Sequence, residues 1–104
     1  MGNEIFEITE NRKLETSTFV LKGRIYTANA NTLLYKLESA FKEGQINIIL
    51  NMLEVGYLSS SGIRVILKMY KQTREAGGKF CIEAPSENVR NVLGLVALDE
   101  MLIT

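Results

Sequence analysis

Ser59, Ser60 and Ser61, followed by Gly62, set three hydroxyls where a strand-like run gives way to a helical one, in the stretch YLSSSGIRVILKMYKQ from Tyr57 to Gln72. A serine can act as a nucleophile beside a base, can line a phosphate or metal site, or can accept a phosphoryl group from another protein. The first two roles need companions that this chain lacks. It has no histidine, one cysteine (Cys81) and one aspartate (Asp99), which removes the usual Ser-His and Cys-His hydrolase arrangements, His-ligated metals and His general bases. A four-ligand structural metal site is excluded by the same shortage. Glu38, Glu54, Glu75 and Glu83 are not spaced as a two-carboxylate pair.

Phosphate cradles fare no better. A P-loop needs Lys and then Ser or Thr after its second glycine, whereas GYLSSSGIRV continues with Ile63-Arg64, and neither GRIYTANAN nor GGKF forms a dinucleotide fingerprint. The expectation is a protein that is not an enzyme and holds no cofactor and no metal.

Two roles for the serines remain. Serine is among the best helix N-caps, worth about 1 kcal/mol, but a cap uses one hydroxyl of the three. A phosphate added at a helix N-terminus would be favoured by free N–H groups and the helix dipole, by roughly 0.3–1 kcal/mol. It would also bring nearly two negative charges to any partner covering that helix end, enough to change affinity by roughly a hundredfold. Ser59, Ser60 and Ser61 are each candidates for that phosphate. Tyr26, Ser59, Ser60, Ser61, Gly62, Arg64 and Lys68 form the expected partner-facing set. Arg64 and Lys68, one helical turn apart, suit a solvated face equally well.

The rest of the chain must position this turn. Its 104 residues suit one domain. With 46% hydrophobic and 23% charged residues, and 12 Lys+Arg against 12 Asp+Glu, the balance is globular and neutral, which argues against a nucleic-acid partner. Glu4, Glu7 and Glu10 interrupt any secretory apolar run, so a cytoplasmic protein without membrane insertion is expected, as a monomer or weak dimer. The Met-Gly start lacks the myristoylation pattern, because Phe6 stands where Ser or Thr is required. Cys81, within KFCIEA, is expected to be a buried, inert strand residue.

NEIFEITE and TSTFVLKG read as a hairpin turning through NRKLE. From Asn29 the period becomes helical, with Leu33, Leu37, Ala40 and Phe41 inward, Thr27 or Asn29 as cap and Gly44 as stop. INIILNM suits a central strand buried on both faces. A second helix runs from about Ser60 to Ala76, with Ile63, Ile66, Leu67 and Tyr70 inward, Lys68, Lys71 and Arg74 in water, and Gly77-Gly78 ending it. KFCIEA is a further strand. SENVRNVLGLVAL forms a shorter helix capped by Ser86, with Val89, Val92 and Leu93 inward, and EMLIT is a last extended or frayed piece. The fold class is therefore α/β: a single domain with a mixed, largely parallel sheet of about four or five strands, an N-terminal hairpin and three or four helices packed on it.

The segment from INIILNML to the C-terminus resembles the STAS domain of bacterial anti-sigma factor antagonists, in which a strand ending in a pattern like I-V-L-D-L-S-x-V-x-Y-M-D-S-S-G-L opens a helix. Leu50, Val55, Tyr57, Leu58, Ser60, Ser61, Gly62 and Ile63 match in register, Gly78 and Phe80 match the later strand, and LGLVALDEML is similar to the family's L-x-L-T-x-L-D-x-x-F run. LKGRIYTANANTLLYKL is similar to its G-x-L-D segment, through Gly23 and Ile25. The resemblance implies one STAS domain over residues 1–104, with the family's final helix absent or cut off. It further implies an unphosphorylated form that binds a kinase-type anti-sigma factor, phosphorylation at Ser60, and a phosphatase that resets it. Ser59, Tyr26 and Asn51 occupy three positions where the family pattern is acidic. Retained Ser60-Ser61-Gly62 favours a phosphorylation switch. The neutral residues favour a non-phosphorylated scaffold, as in stressosome-like or membrane lipid-transport assemblies. A nucleotide- or anion-sensing module is a third reading.

Overall fold

Alternate residues along three segments are sealed from solvent, and this period of two is what makes them strands: Phe19 and Leu21, then Ile48, Leu50 and Met52, then Phe80 and Ile82. In the computed structural model, which describes residues 6–103, the chain runs β1 (Glu7–Lys13), β2 (Thr16–Ile25), α1 (Thr27–Lys42), β3 (Asn47–Leu58), α2 (Ser60–Glu75), β4 (Lys79–Glu83), α3 (Glu87–Leu95) and a single turn, α4 (Asp99–Leu102). The sheet order is β1-β2-β3-β4, with β1 antiparallel to β2 and the other pairs parallel. This is the mixed, largely parallel α/β domain expected from the sequence.

The hairpin turns more sharply than NRKLE suggests. Asn11, Arg12 and Lys13 remain paired in β1, and only Leu14 and Glu15 connect the strands, with Leu14 at φ 58°. Residues 3–5 of the expected first strand lie outside the described residues. A polar cluster ties this hairpin to the rest: Ser17 Oγ, fully buried, donates to Glu10 Oε2 at 2.7 Å and lies 3.0 Å from Gln45 Oε1, while Arg12 bridges Glu10 and Glu43.

Two expectations about burial are corrected. β3 is not buried on both faces: Ile48, Leu50 and Met52 face the core, whereas Asn47, Ile49 and Asn51 are only partly covered. Leu33 and Leu37 of α1, Ile66 and Met69 of α2, and Val89 and Leu93 of α3 complete the core on that one face. Cys81 is accordingly half-buried, aligned with Ile49 and Thr18 on the opposite face. The C-terminal piece is not frayed, since Leu102 is fully buried and Ile103 bridges to Ile82.

The helices keep the predicted order but turn slightly about their axes. In α2 the buried residues are Gly62, Val65, Ile66, Met69 and Thr73, with Ile63 and Tyr70 packing from the side. In α3, Ser86 Oγ accepts the Val89 N–H at 3.1 Å, as expected of a cap, and Val89 and Leu93 point inward while Val92 is only partly covered. The cap of α1 is Tyr26 and not Thr27 or Asn29. Asn29 sits in the first turn, where its Oδ1 accepts the Tyr26 N–H at 2.7 Å.

The strand that delivers the serines carries two register shifts against β2, each adding one residue to β3. Its inward side chains therefore fall three apart, at Met52, Val55 and Leu58. That phase directs Tyr57 outward and Leu58 inward just before the serine turn.

Candidate functional site

Two chain reversals meet at one end of the sheet. β2 ends at Ile25 and β3 at Leu58, two strands that pair in parallel, and each leads at once into a 16-residue helix. The two helix starts are stitched together: Ser59 N–H donates to Ile25 O at 2.9 Å, and Ser61 Oγ lies 3.2 Å from Thr27 Oγ1.

Within this frame the three serines are sorted. Ser59 is buried and caps α2, its Oγ accepting the Gly62 N–H at 3.1 Å. Ser61 is half-covered and engaged with Thr27. Ser60 is exposed, and its hydroxyl has no hydrogen-bond partner among the described residues. Gly62 is buried for a packing reason: a Cβ there would sit 2.6 Å from Leu58 Cδ1 and 3.0 Å from Ile25 Cγ2. The expected partner-facing set is therefore not one continuous surface. Ser59 and Gly62 shape the turn from inside, and Tyr26, Ser60 and Arg64 are open to solvent.

Lys68 is also exposed but turns toward α1, with its Nζ 3.1 Å from Glu38 Oε2. Two exposed residues beside the turn were not in the expected set. The Tyr57 ring packs against Tyr26, with centroids 5.4 Å apart and planes tilted by 40°. Arg24 donates to the Tyr26 hydroxyl at 3.0 Å. The outward phase of Tyr57 follows from the two register shifts, which no residue pattern in β3 announces. Asn51 lies away from the turn on the open sheet face, where its Oδ1 accepts the Leu53 N–H at 3.1 Å.

The electrostatics are one-sided. Neither α1 nor α2 has an acidic residue in its first turn, so the positive ends of two helices converge without a side-chain carboxylate from those turns. Among the described residues no three His, Cys, Asp or Glu side chains cluster as a metal site. The arrangement presents the Ser60 hydroxyl to solvent, with no side chain among the described residues hydrogen-bonded to it.

Comparison with known proteins follows the same lines. Residues 7–104 match the STAS domain family. BtrV of Bordetella bronchiseptica, by name an anti-sigma factor antagonist, is 32% identical over 72 residues, covering 69% of this chain and 62% of BtrV. The structure of SpoIIAA, an anti-sigma factor antagonist, in its unphosphorylated form superposes with a TM-score of 0.83 at 22% identity, over 96% of this chain and 86% of that one. The phosphorylated form of the Bacillus cell fate determinant SpoIIAA superposes with a TM-score of 0.77 at 21% identity, over 96% and 89%. An anti-sigma factor antagonist from Mycobacterium paratuberculosis gives 0.83 at 17% identity, over 95% and 85%. At these identities the structural likeness establishes the fold.

Proposed function

This chain belongs to the STAS domain family, and on that premise we propose that it is an anti-sigma factor antagonist: it binds a kinase-type anti-sigma factor through the surface around Ser60 and lets go when Ser60 is phosphorylated. The relationship to BtrV supports the class. The observation that carries the switch is the division of labour among the serines. Ser59 already caps α2 and Ser61 is already engaged with Thr27, so the exposed Ser60 hydroxyl can be modified without removing a contact the fold uses.

The phosphoryl transfer itself belongs to the partner. The γ-phosphoryl group of ATP moves to Ser60 Oγ, the bond to the β–γ bridging oxygen breaks, the hydroxyl proton passes to a base on the kinase, and ADP leaves. This chain contributes position: a first-turn oxygen whose added charge is favoured by free N–H groups and the helix dipole, by roughly 0.3–1 kcal/mol. Release follows because nearly two negative charges then stand inside the contact area. A phosphatase would restore the hydroxyl.

The neutral residues Ser59, Tyr26 and Asn51 favour a second reading, a STAS scaffold that binds without being switched. Titrating the parent chain and Ser60→Asp against the purified kinase-type anti-sigma factors of its own cell separates the two. The switch requires Ser60→Asp to bind at least about tenfold more weakly. Equal binding by both chains would leave the scaffold.

A further inference from the structure

The net charge of zero conceals a segregation. No Asp or Glu occurs from residue 23 to 37 or from 55 to 74, the stretches that hold the serine turn and most of α1 and α2, whereas Arg24, Lys36, Arg64, Lys68, Lys71 and Arg74 lie there, Lys71 and Arg74 at the far end of α2; the nearest acids in the fold are Glu54, 3.8 Å from Lys22 Nζ, and Glu87, in the first turn of α3 beside Gly56. Glu38, at the border, is taken by Lys68. Arg64 is exposed, has no ion-pair partner among the described residues, and follows Ser60 by four positions, which puts the two side chains on one helix face. Beside the same turn, Tyr26 and Tyr57 are 42% and 44% exposed although their rings already pack together.

From this we infer that the surface of Tyr26, Tyr57 and Arg64 around Ser60 docks an acidic protein surface, one whose Asp and Glu side chains meet Arg64 and whose apolar groups cover the tyrosine pair. The inference rests on the proposed function and names the chemistry of the partner that function requires. Tyrosine and arginine are the residue types that dominate binding energy at protein contacts. A nucleic acid fits less well: duplex binding of appreciable strength draws on about six to ten phosphate contacts, whereas Arg24 and Lys68 of this small set are already engaged. The partner's acidity also gives the switch its sign. A phosphate one turn from Arg64 cancels the local positive charge and then repels the partner's carboxylates, so steering is lost together with contact.

The test is the association rate with the purified kinase-type anti-sigma factors of the same cell, measured for the full chain across a range of salt concentrations. Arg64→Glu is compared with Lys79→Glu, which makes the same change in net charge at the opposite end of the sheet, where Lys79 pairs in register with Asn47. The expected result is an association rate lowered about tenfold by Arg64→Glu, with a flattened salt dependence, and little change for Lys79→Glu. If Arg64→Glu associates as fast as the parent or faster, or if both variants slow equally, the acidic docking surface is refuted while the antagonist reading stands. If no anti-sigma factor binds the parent chain but duplex DNA or anionic phosphatidylglycerol vesicles do, both readings fall.

Discussion

Removing the Ser59 hydroxyl should weaken the fold and leave the exposed Ser60 hydroxyl in place, because Ser59 Oγ is the acceptor for the Gly62 N–H. Ser59→Ala is expected to lose about 1 kcal/mol in urea unfolding, whereas Ser60→Ala, which deletes an exposed hydroxyl without a partner, should lose no more than about 0.5 kcal/mol. Gly62→Ala probes the same turn from the packing side. The new methyl meets Leu58 and Ile25, both buried, and the overpacking of about 1–3 kcal/mol outweighs the gain of up to about 1 kcal/mol from replacing a helical glycine. The sequence announced a cap among three adjacent serines but not which one, since that choice depends on the phase in which β3 arrives. Tyr57, a match to the family motif, is missing from the expected partner-facing set for the same reason: as the penultimate residue of β3 it gives no sign of which way it faces.

At the level of elements, the tightest crossing is where the chain leaves α2 for β4. A Cβ on Gly78 would lie 1.9 Å from the Ile46 carbonyl oxygen, and that contact is to backbone, so neither side can yield cheaply. Gly78→Ala should therefore cost about 3 kcal/mol, more than Gly62→Ala, as judged by chemical denaturation of both variants. The Glu10 cluster holds the hairpin to the end of α1. Burial alone would raise the Glu10 carboxyl, but hydrogen bonds from Arg12 and Ser17 and the charge of Arg12 outweigh it and hold it below its ordinary 4.5. A depressed carboxylate stabilises the fold fully above its ordinary value, and that contribution fades as the pH falls through the folded-state value. The parent should thus exceed Glu10→Gln in stability at neutral pH, and the gap should close in urea titrations stepped downward from 4.5. Helix-scale reading recovered all three long helices because their apolar spacing is local. The helical turn in EMLIT, expected as an extended or frayed piece, has no local signal, since Leu102 and Ile103 are held by contacts with β4 and the core that are distant in sequence.

For the molecule as a whole, the order of strands and helices was legible because alternation and helical spacing each report the neighbouring element. The open face of the sheet was not. INIILNM reads as a continuous apolar run because Ile49, beside Thr18 and Cys81, interrupts the less covered face that Asn47 and Asn51 otherwise mark as polar. A total charge of zero says nothing about how acids and bases are distributed, and Arg64 stands unpaired among the described residues on the helix that the serines open. The account of function rests on one hydroxyl at that end. The measurement that tests it most directly is the intact mass of the chain after incubation with ATP, Mg²⁺ and the kinase-type anti-sigma factors of its own cell, beside Ser60→Ala treated identically. The account predicts the gain of a single phosphate by the parent and none by Ser60→Ala. An unchanged mass with every one of those kinases, or a phosphate that Ser60→Ala gains as readily, would contradict it.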